Sequence, residues 1–272
     1  MIFALPLYDD NPTHRPAYVT LFLIGACTGA FLWELGQPSQ AALALSYGMI
    51  PGVLFGYAHL APSLQVVPPW ATVFTSMFLH GGWLHLIGNM LFLWIFGNNV
   101  EDALGRLRYI VLYFGSGIAA ALGQSAANLA SHVPMIGASG AIAGVLGAYL
   151  LMYPRANVHC FIWIIIFFRI VTVPAWILLG LWFGMQLLSG LGSPHAAGGV
   201  AFWAHVGGFA AGLAIVMLLR PRGLALLHPP KSPGFAAVRP GDFAGRATFH
   251  HGSVPPAGRR LLGGPPSGPW HW

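Results

Sequence analysis

Ser139, His205, His85 and Asn89 are polar side chains set in stretches otherwise built from alanine, leucine, glycine and aromatic residues. A polar group in lipid is costly unless it has work or a partner, so each is a candidate for chemistry. A serine hydroxyl beside an imidazole makes a nucleophile with its general base. Taken singly, a serine in a glycine-rich helix is usually packing glue and a lone histidine a structural hydrogen-bonding group. Depth ties the four together. Glu101, Arg155 and Arg220 mark the inner ends of three apolar stretches, with His85 16 residues from the first, Ser139 16 from the second and His205 15 from the third. At about 1.5 Å per helical residue, all three stand roughly 22–24 Å above the inner surface. The hydrocarbon core is about 30 Å thick, so that level lies a little below its outer face. Asn89, one turn deeper than His85, faces the same region.

Small residues supply a second coincidence. In "AHVGGFAAG", Gly208 and Gly212 follow His205 by three and seven positions, and Ala201 precedes it by four. His205 therefore lies on a stripe where another backbone can approach closely. Gly140 and Gly144 make the matching small-xxx-small step beside Ser139. Two such faces pressed together bring a hydroxyl to an imidazole. Pro134 and Gly137 end the preceding loop, which puts Ser139 in the first turn of its helix. There the backbone N–H groups lack intrahelical acceptors and negative charge is favoured.

The elements that must hold these residues are membrane spans. Of 272 residues 56% are hydrophobic and only 7% charged, against about 25% charged in a typical soluble domain. Six long apolar stretches lie near 17–35, 82–98, 108–128, 138–153, 172–190 and 200–219. With six crossings, all twelve Lys and Arg fall on the side that holds both termini; the loops near 36–81, 129–137 and 191–199 carry none. The positive-inside rule then puts both termini in the cytoplasm, as in a bacterial inner (plasma) membrane. The expected fold is an all-α polytopic membrane protein. Asp9, Asp10 and Pro12 interrupt the first apolar run, so no cleaved signal peptide is expected.

The long first loop, 36–81, is too apolar for a free linker, and Trp70, Phe78 and Trp83 are expected as interfacial anchors. "VHCFIWIIIFF" (158–168) is expected to lie along the inner face, because Arg169 in mid-bilayer is costly. Residues 1–222 form the expected membrane domain. The Pro- and Gly-rich stretch 223–272 lacks apolar periodicity and is expected to be a disordered cytoplasmic tail. Cys27 and Cys160 sit at different depths, so no disulfide is expected.

These motifs resemble those of the rhomboid family of intramembrane serine proteases. "GASGAIAGVLGAY" is similar to its serine motif, "AHVGGFAAG" to its histidine motif and "HGGWLHLIGNM" to its oxyanion motif. "YGMIP", "WATVFTSMFLH", "VEDALGRLRY" and "VPAWILLGLWFGMQ" resemble its connecting landmarks, in family order over about residues 15–220. The resemblance implies a six-transmembrane-helix rhomboid bundle with Ser139 as nucleophile and His205 as general base. It also implies an oxyanion hole from the Ser139 N–H, the His85 side chain and the Asn89 amide. The implied reaction is hydrolysis of a peptide bond in or near another protein's transmembrane segment, with no cofactor. This chain departs from the pattern twice. Ala143 stands where some members have a tyrosine stacked on the histidine, and Ala71 where some have an arginine after the loop tryptophan.

Other chemistries fit less well. The carboxylates are Asp9, Asp10, Glu34, Glu101, Asp102 and Asp242, none at the depth of the site. A soluble-type triad and an intramembrane aspartyl dyad therefore both lack their acids. No HExxH is present, so no metal site is expected despite twelve His. A transporter would show charged membrane residues or repeated halves. The alternative from another class is a non-catalytic rhomboid-like protein that binds client transmembrane helices. Expected partners are transmembrane protein substrates and the bilayer, not nucleic acid, with the oligomeric state open.

Overall fold

The computed structural model describes residues 2–164, 167–192 and 200–229. Strand β1 (Ile2–Asp9) leads to helix α1 (Tyr18–Leu35), followed by the short helices α2 (Gln40–Tyr47), α3 (Pro51–Leu54) and α4 (Thr72–Thr75). Helix α5 (Trp83–Phe92) runs through a π turn (Leu93–Gly97) into α6 (Asn98–Leu104), then come α7 (Arg106–Ala127) and α8 (Ser139–Met152). Strands β2 (Asn157–Ile164) and β3 (Phe167–Pro174) precede α9 (Ala175–Gly192) and α10 (Phe202–Leu219).

Helical segments stand at all six expected positions. Among the described residues, only α1, α7, α9 and α10 are individually long and apolar enough to cross a membrane, and α8 has 14 residues. The structure is thus mostly helical with four candidate spanning helices.

The all-α expectation is corrected by an antiparallel sheet of order β1-β2-β3. Of the segment 158–168, expected to lie along the inner face, residues 158–164 belong to β2 and 167–168 to β3, which pair antiparallel with Val158 opposite Val173 and Ile162 opposite Arg169. β1 adds to the other edge of β2, Asp9 opposite Val158. All three strands are rich in β-branched and aromatic residues, which favour strands but also read as membrane-apolar. Partners some 150 residues apart leave no local signal of their pairing.

The core lies among α7, α8 and α10, with Tyr109, Tyr113 and Tyr149 fully buried. Eleven of the fourteen residues of α8 are buried. α1 has no side-chain cap of its own. Glu101 of α6 supplies one, accepting from the N–H groups of Val19 and Thr20 at 3.0 and 2.8 Å and from the Thr20 hydroxyl at 2.9 Å. That places an anion at the positive end of a helix dipole.

The first loop is tied down largely through backbone. Met49 and Met135 exchange N–H···O bonds of 3.0 and 2.8 Å, and the Gly52 N–H donates to Ser131 O at 2.8 Å. The Thr75 hydroxyl donates to Tyr47 O at 2.6 Å. These bonds hold the loop although Ala71 has no side chain with which to do so. Trp70 is exposed, as is Trp83, whose ring meets Phe31 edge-on; Phe78 turns inward beside Phe114. Near the C-terminal end of α1 the Glu34 carboxylate accepts the His80 N–H at 3.1 Å.

The ordered chain runs past residue 222. Leu224 and Leu226 pack against the core, and the N–H groups of Leu227 and His228 donate to Leu151 O and Met152 O. The rest of the expected tail, from residue 230, lies outside the described residues.

Candidate active site

Ser139 is the first residue of α8, so its N–H is among those with no acceptor inside the helix. His205 lies in the first turn of α10, whose start is held by the Ala204 N–H donating to Gln124 Oε1 at 3.3 Å. The two helices meet backbone to backbone. A side chain on Gly208 would collide with the carbonyl oxygen of Gly140, and one on Gly212 with that of Gly144. A side chain on Gly144 would strike Ser116 of α7, and a Cβ at Gly207 or Gly123 would come within 2.9 Å of the carbonyl oxygen of Ala119 or Trp203. Glycine is required along this seam because nothing larger lets the helices approach so closely. At that approach His205 Nε2 stands 2.8 Å from Ser139 Oγ.

His85 and Asn89 stand one turn apart on α5. The Gly81 N–H donates to His85 Nδ1 at 3.3 Å. In a neutral ring that leaves the proton on Nε2. Asn89 is buried, and its Nδ2 has no hydrogen-bond partner among the described residues. Both nitrogens border Gly137, which has a φ of +121° and donates its N–H to Ser76 O at 2.8 Å. A Cβ at Gly137 would stand 2.7 Å from His85 Nε2 and 3.7 Å from Asn89 Nδ2. A side chain there would collide with the His85 ring, so glycine lets the two side-chain nitrogens stand close against the backbone two residues before Ser139. An unpaired buried amide is expensive and calls for a specific reason wherever it occurs.

His80 braces the outer side of the site. Its ring lies edge-on to His85 at 5.2 Å, and Nδ1 is 3.1 Å from Phe78 O. Burial, and secondarily the neighbouring His85, push its pKa down to about 4, so it is neutral at physiological pH.

Sequence reasoning missed Gln186. Its Oε1 lies 2.8 Å from His205 Nδ1. The Trp182 ring, one turn away on α9, flanks the same imidazole at 5.6 Å. Ala143 is buried in α8 and has no ring to offer, so the aromatic wall against His205 comes from α9 instead. The signal was available: Gln186 is a polar residue inside an apolar stretch, the criterion that singled out the other four.

The profile of the Rhomboid domain matches residues 68–222. The chain belongs to the rhomboid family. The matched span contains all five polar residues of the site. Among curated relatives, RHOMBOID-like protein 1 of Arabidopsis thaliana is 34% identical over 224 residues, 81% of this chain and 51% of that protein. Putative rhomboid protease YdcA of Bacillus subtilis (strain 168) is 37% identical over 83 residues, 30% of this chain and 41% of that one. Rhomboid protein 1, mitochondrial, of Saccharomyces cerevisiae is 38% identical over 95 residues, 34% and 28% of the two chains. These alignments span about half or less of each relative's length. Rhomboid membership and the apolar helices make the chain a multi-pass integral membrane protein. The bacterial inner membrane expected from sequence is not supported, since the relatives include a mitochondrial and a plant protein.

Proposed function

We propose that this rhomboid protein is an intramembrane serine endopeptidase cleaving peptide bonds in or near the transmembrane segments of other membrane proteins. The observation that carries the proposal is the 2.8 Å approach of His205 Nε2 to Ser139 Oγ. In this reading His205 takes the hydroxyl proton as Ser139 Oγ attacks the scissile carbonyl carbon. The carbonyl oxygen becomes an oxyanion, which the Ser139 N–H, His85 Nε2–H and Asn89 amide stabilise. His205 then gives its proton to the departing amine. A water, deprotonated by His205, hydrolyses the acyl-enzyme and regenerates Ser139.

The proposed bundle has six crossings, with Trp83–Leu104 and α8 as the two beyond the four long helices, and both termini on the Arg-bearing side. α8 is about 21 Å long at 1.5 Å per residue, so Ser139 at its outer end stops short of a 30 Å hydrocarbon face. The proposed membrane domain extends to His228, with the tail beyond it.

The test is reconstitution in liposomes with a panel of single-span membrane proteins. Wild type is expected to cleave members of the panel, and Ser139→Ala and His205→Ala none. A fluorophosphonate is expected to label wild type and not Ser139→Ala. Cleavage by purified Ser139→Ala would refute the assignment. Substrate binding with no cleavage and no labelling by the wild type would establish the client-binding reading instead.

A further inference from the structure

We propose that Gln186 is the positioning residue for the general base, doing with a neutral amide what soluble serine proteases do with a buried carboxylate. The inference rests on the protease reading above. Gln186 Oε1 is 2.8 Å from His205 Nδ1, while His205 Nε2 is 2.8 Å from Ser139 Oγ. An amide carbonyl can only accept a hydrogen bond, so Nδ1 must carry the ring proton. Nε2 then presents a lone pair to the Ser139 hydroxyl, which is the tautomer a general base requires. With the ring reversed in protonation, Nε2–H would donate to Ser139 Oγ and no proton could be taken from it.

No charged group does this instead. Among the described residues the carboxylates are Asp9 of β1, Asp10 just after it, Glu34 near the C-terminal end of α1, and Glu101 and Asp102 of α6, and none bonds to the His205 ring. A neutral partner also suits the location, because a permanent carboxylate in lipid is costly. A second restraint comes from the same helix. Trp182 precedes Gln186 by one turn on α9, and its ring faces the imidazole at 5.6 Å, inclined by 39°. Gln186 fixes which nitrogen carries the proton, and Trp182 limits rotation of the ring. Where the family resemblance implies an aromatic neighbour from the serine helix, this chain has Ala143, and α9 supplies both functions.

The bland role for a glutamine here is an interhelical hydrogen bond that only steadies α9 against α10. The two roles separate in kinetics and in spectra. Gln186→Met keeps the side-chain length and removes the carbonyl acceptor. It is expected to lower kcat about 10- to 100-fold, the range for losing one hydrogen bond to a group that becomes charged during turnover. KM should stay within about twofold, because the bond acts on the base and not on the substrate.

The experiment uses the full chain in detergent, with wild type, Gln186→Met, Ser139→Ala and His205→Ala assayed on one cleaved single-span substrate. Ring-¹⁵N-histidine spectra are recorded on the same samples, and the His205 signals are assigned by their loss in His205→Ala. The wild type is expected to show His205 protonated at Nδ1, and Gln186→Met to lose that single-tautomer signature together with kcat. Wild-type His205 protonated at Nε2 would overturn the inference whether or not Gln186→Met folds. So would Gln186→Met with wild-type kcat and an unchanged His205 spectrum. Cleavage by Ser139→Ala brings down the protease reading itself. Loss of cleavage in Ser139→Ala with none in Gln186→Met brings down only the role of Gln186.

Discussion

The helices that meet at His205 are held in opposite ways. α8 is buried at eleven of its fourteen residues and touches α10 through glycines, carbonyl against Cα. α9 is buried at three of its eighteen residues and meets α10 mainly through side chains, with Phe183 stacked on Phe209 at 4.5 Å. The first contact has no slack, because backbone cannot rotate away as a side chain does. The second consists of rings and an amide that re-form after small displacements. The Ser139–His205 distance is thus set by the rigid seam, while the partners of the other side of the His205 ring, Gln186 and Trp182, come from the lightly held helix. On the proposed protease reading a substrate helix has to reach the site through one of its boundaries, and this arrangement leaves the Ser–His distance independent of the lightly held one.

The largest effects are expected where the rigid side is broken. Gly208→Ala would drive a methyl into Gly140 O, and Gly212→Ala one into Gly144 O. Overpacking against backbone falls at the upper end of the usual cost of about 1–3 kcal/mol. If the helices part by about 1 Å instead, roughly a hundredfold in rate is at stake. Both variants should show a lower melting temperature in detergent and at least that loss in cleavage. Wild-type activity in Gly208→Ala would mean that the seam does not set the Ser–His distance.

Next in size is Asn89, which stands beside the seam and not in it. Asn89→Ala is expected to lower kcat about 10²–10³-fold, because an oxyanion donor acts only in the transition state. A purely structural interhelical bond averages about 0.6 kcal/mol in membrane proteins. The melting temperature should therefore change little. Early unfolding with near wild-type turnover would make Asn89 a strut and move the oxyanion site elsewhere.

What sequence made legible follows the same division. Ser139, His205 and the glycines are visible because helical periodicity and charge-marked ends convert position into depth. Gln186 belongs to the same polar-in-lipid class but lies on the helix whose contacts are side-chain mediated, so no small-residue stripe points to it. The sheet was illegible for another reason. "IFALPLYD", "NVHCFIWI" and "FFRIVTVP" are strand formers as much as membrane-apolar segments, and only pairing across the whole chain decides between the two.

That sheet is where the two regions join, since β3 runs directly into α9 while β1 is pinned to the rigid side. The Tyr149 hydroxyl of α8 and the Asn99 amide of α6 both donate to Asp9 Oδ2. Burial raises the Asp9 carboxyl to about 7, against the pull of those two hydrogen bonds. The folded state then holds a proton that the unfolded chain gives up near 3.9. Stability from this group is full below about pH 4 and declines as pH rises to about 7. His80 works the other way: lowered to about 4, its contribution is full above about 6.5 and is lost as pH falls towards 4. Asp9→Asn keeps an acceptor oxygen and removes the titration. Its melting temperature should gain on wild type more at pH 7.5 than at pH 5. An equal difference at both values would show that Asp9 does not titrate in this window.

The smallest effect is expected on the exposed face of α9, and it sharpens the comparison most directly. A Cβ at Gly180 or Gly184 meets nothing within 4 Å, in contrast to the collisions at Gly208 and Gly212. Alanine in place of a mid-helix glycine favours the helix by roughly 0.5–1 kcal/mol. Gly180→Ala and Gly184→Ala should therefore leave the melting temperature equal or slightly higher. If that face meets only lipid throughout turnover, cleavage stays within about twofold of wild type. A variant that melts normally, takes up the fluorophosphonate at the wild-type rate and yet cleaves a membrane substrate slowly would say otherwise. The small probe reports that Ser139 and His205 are intact, so the slowed step must involve the substrate's own helix. A methyl on α9 would then be obstructing a surface against which that helix packs, and the loose side of the site would be its point of entry.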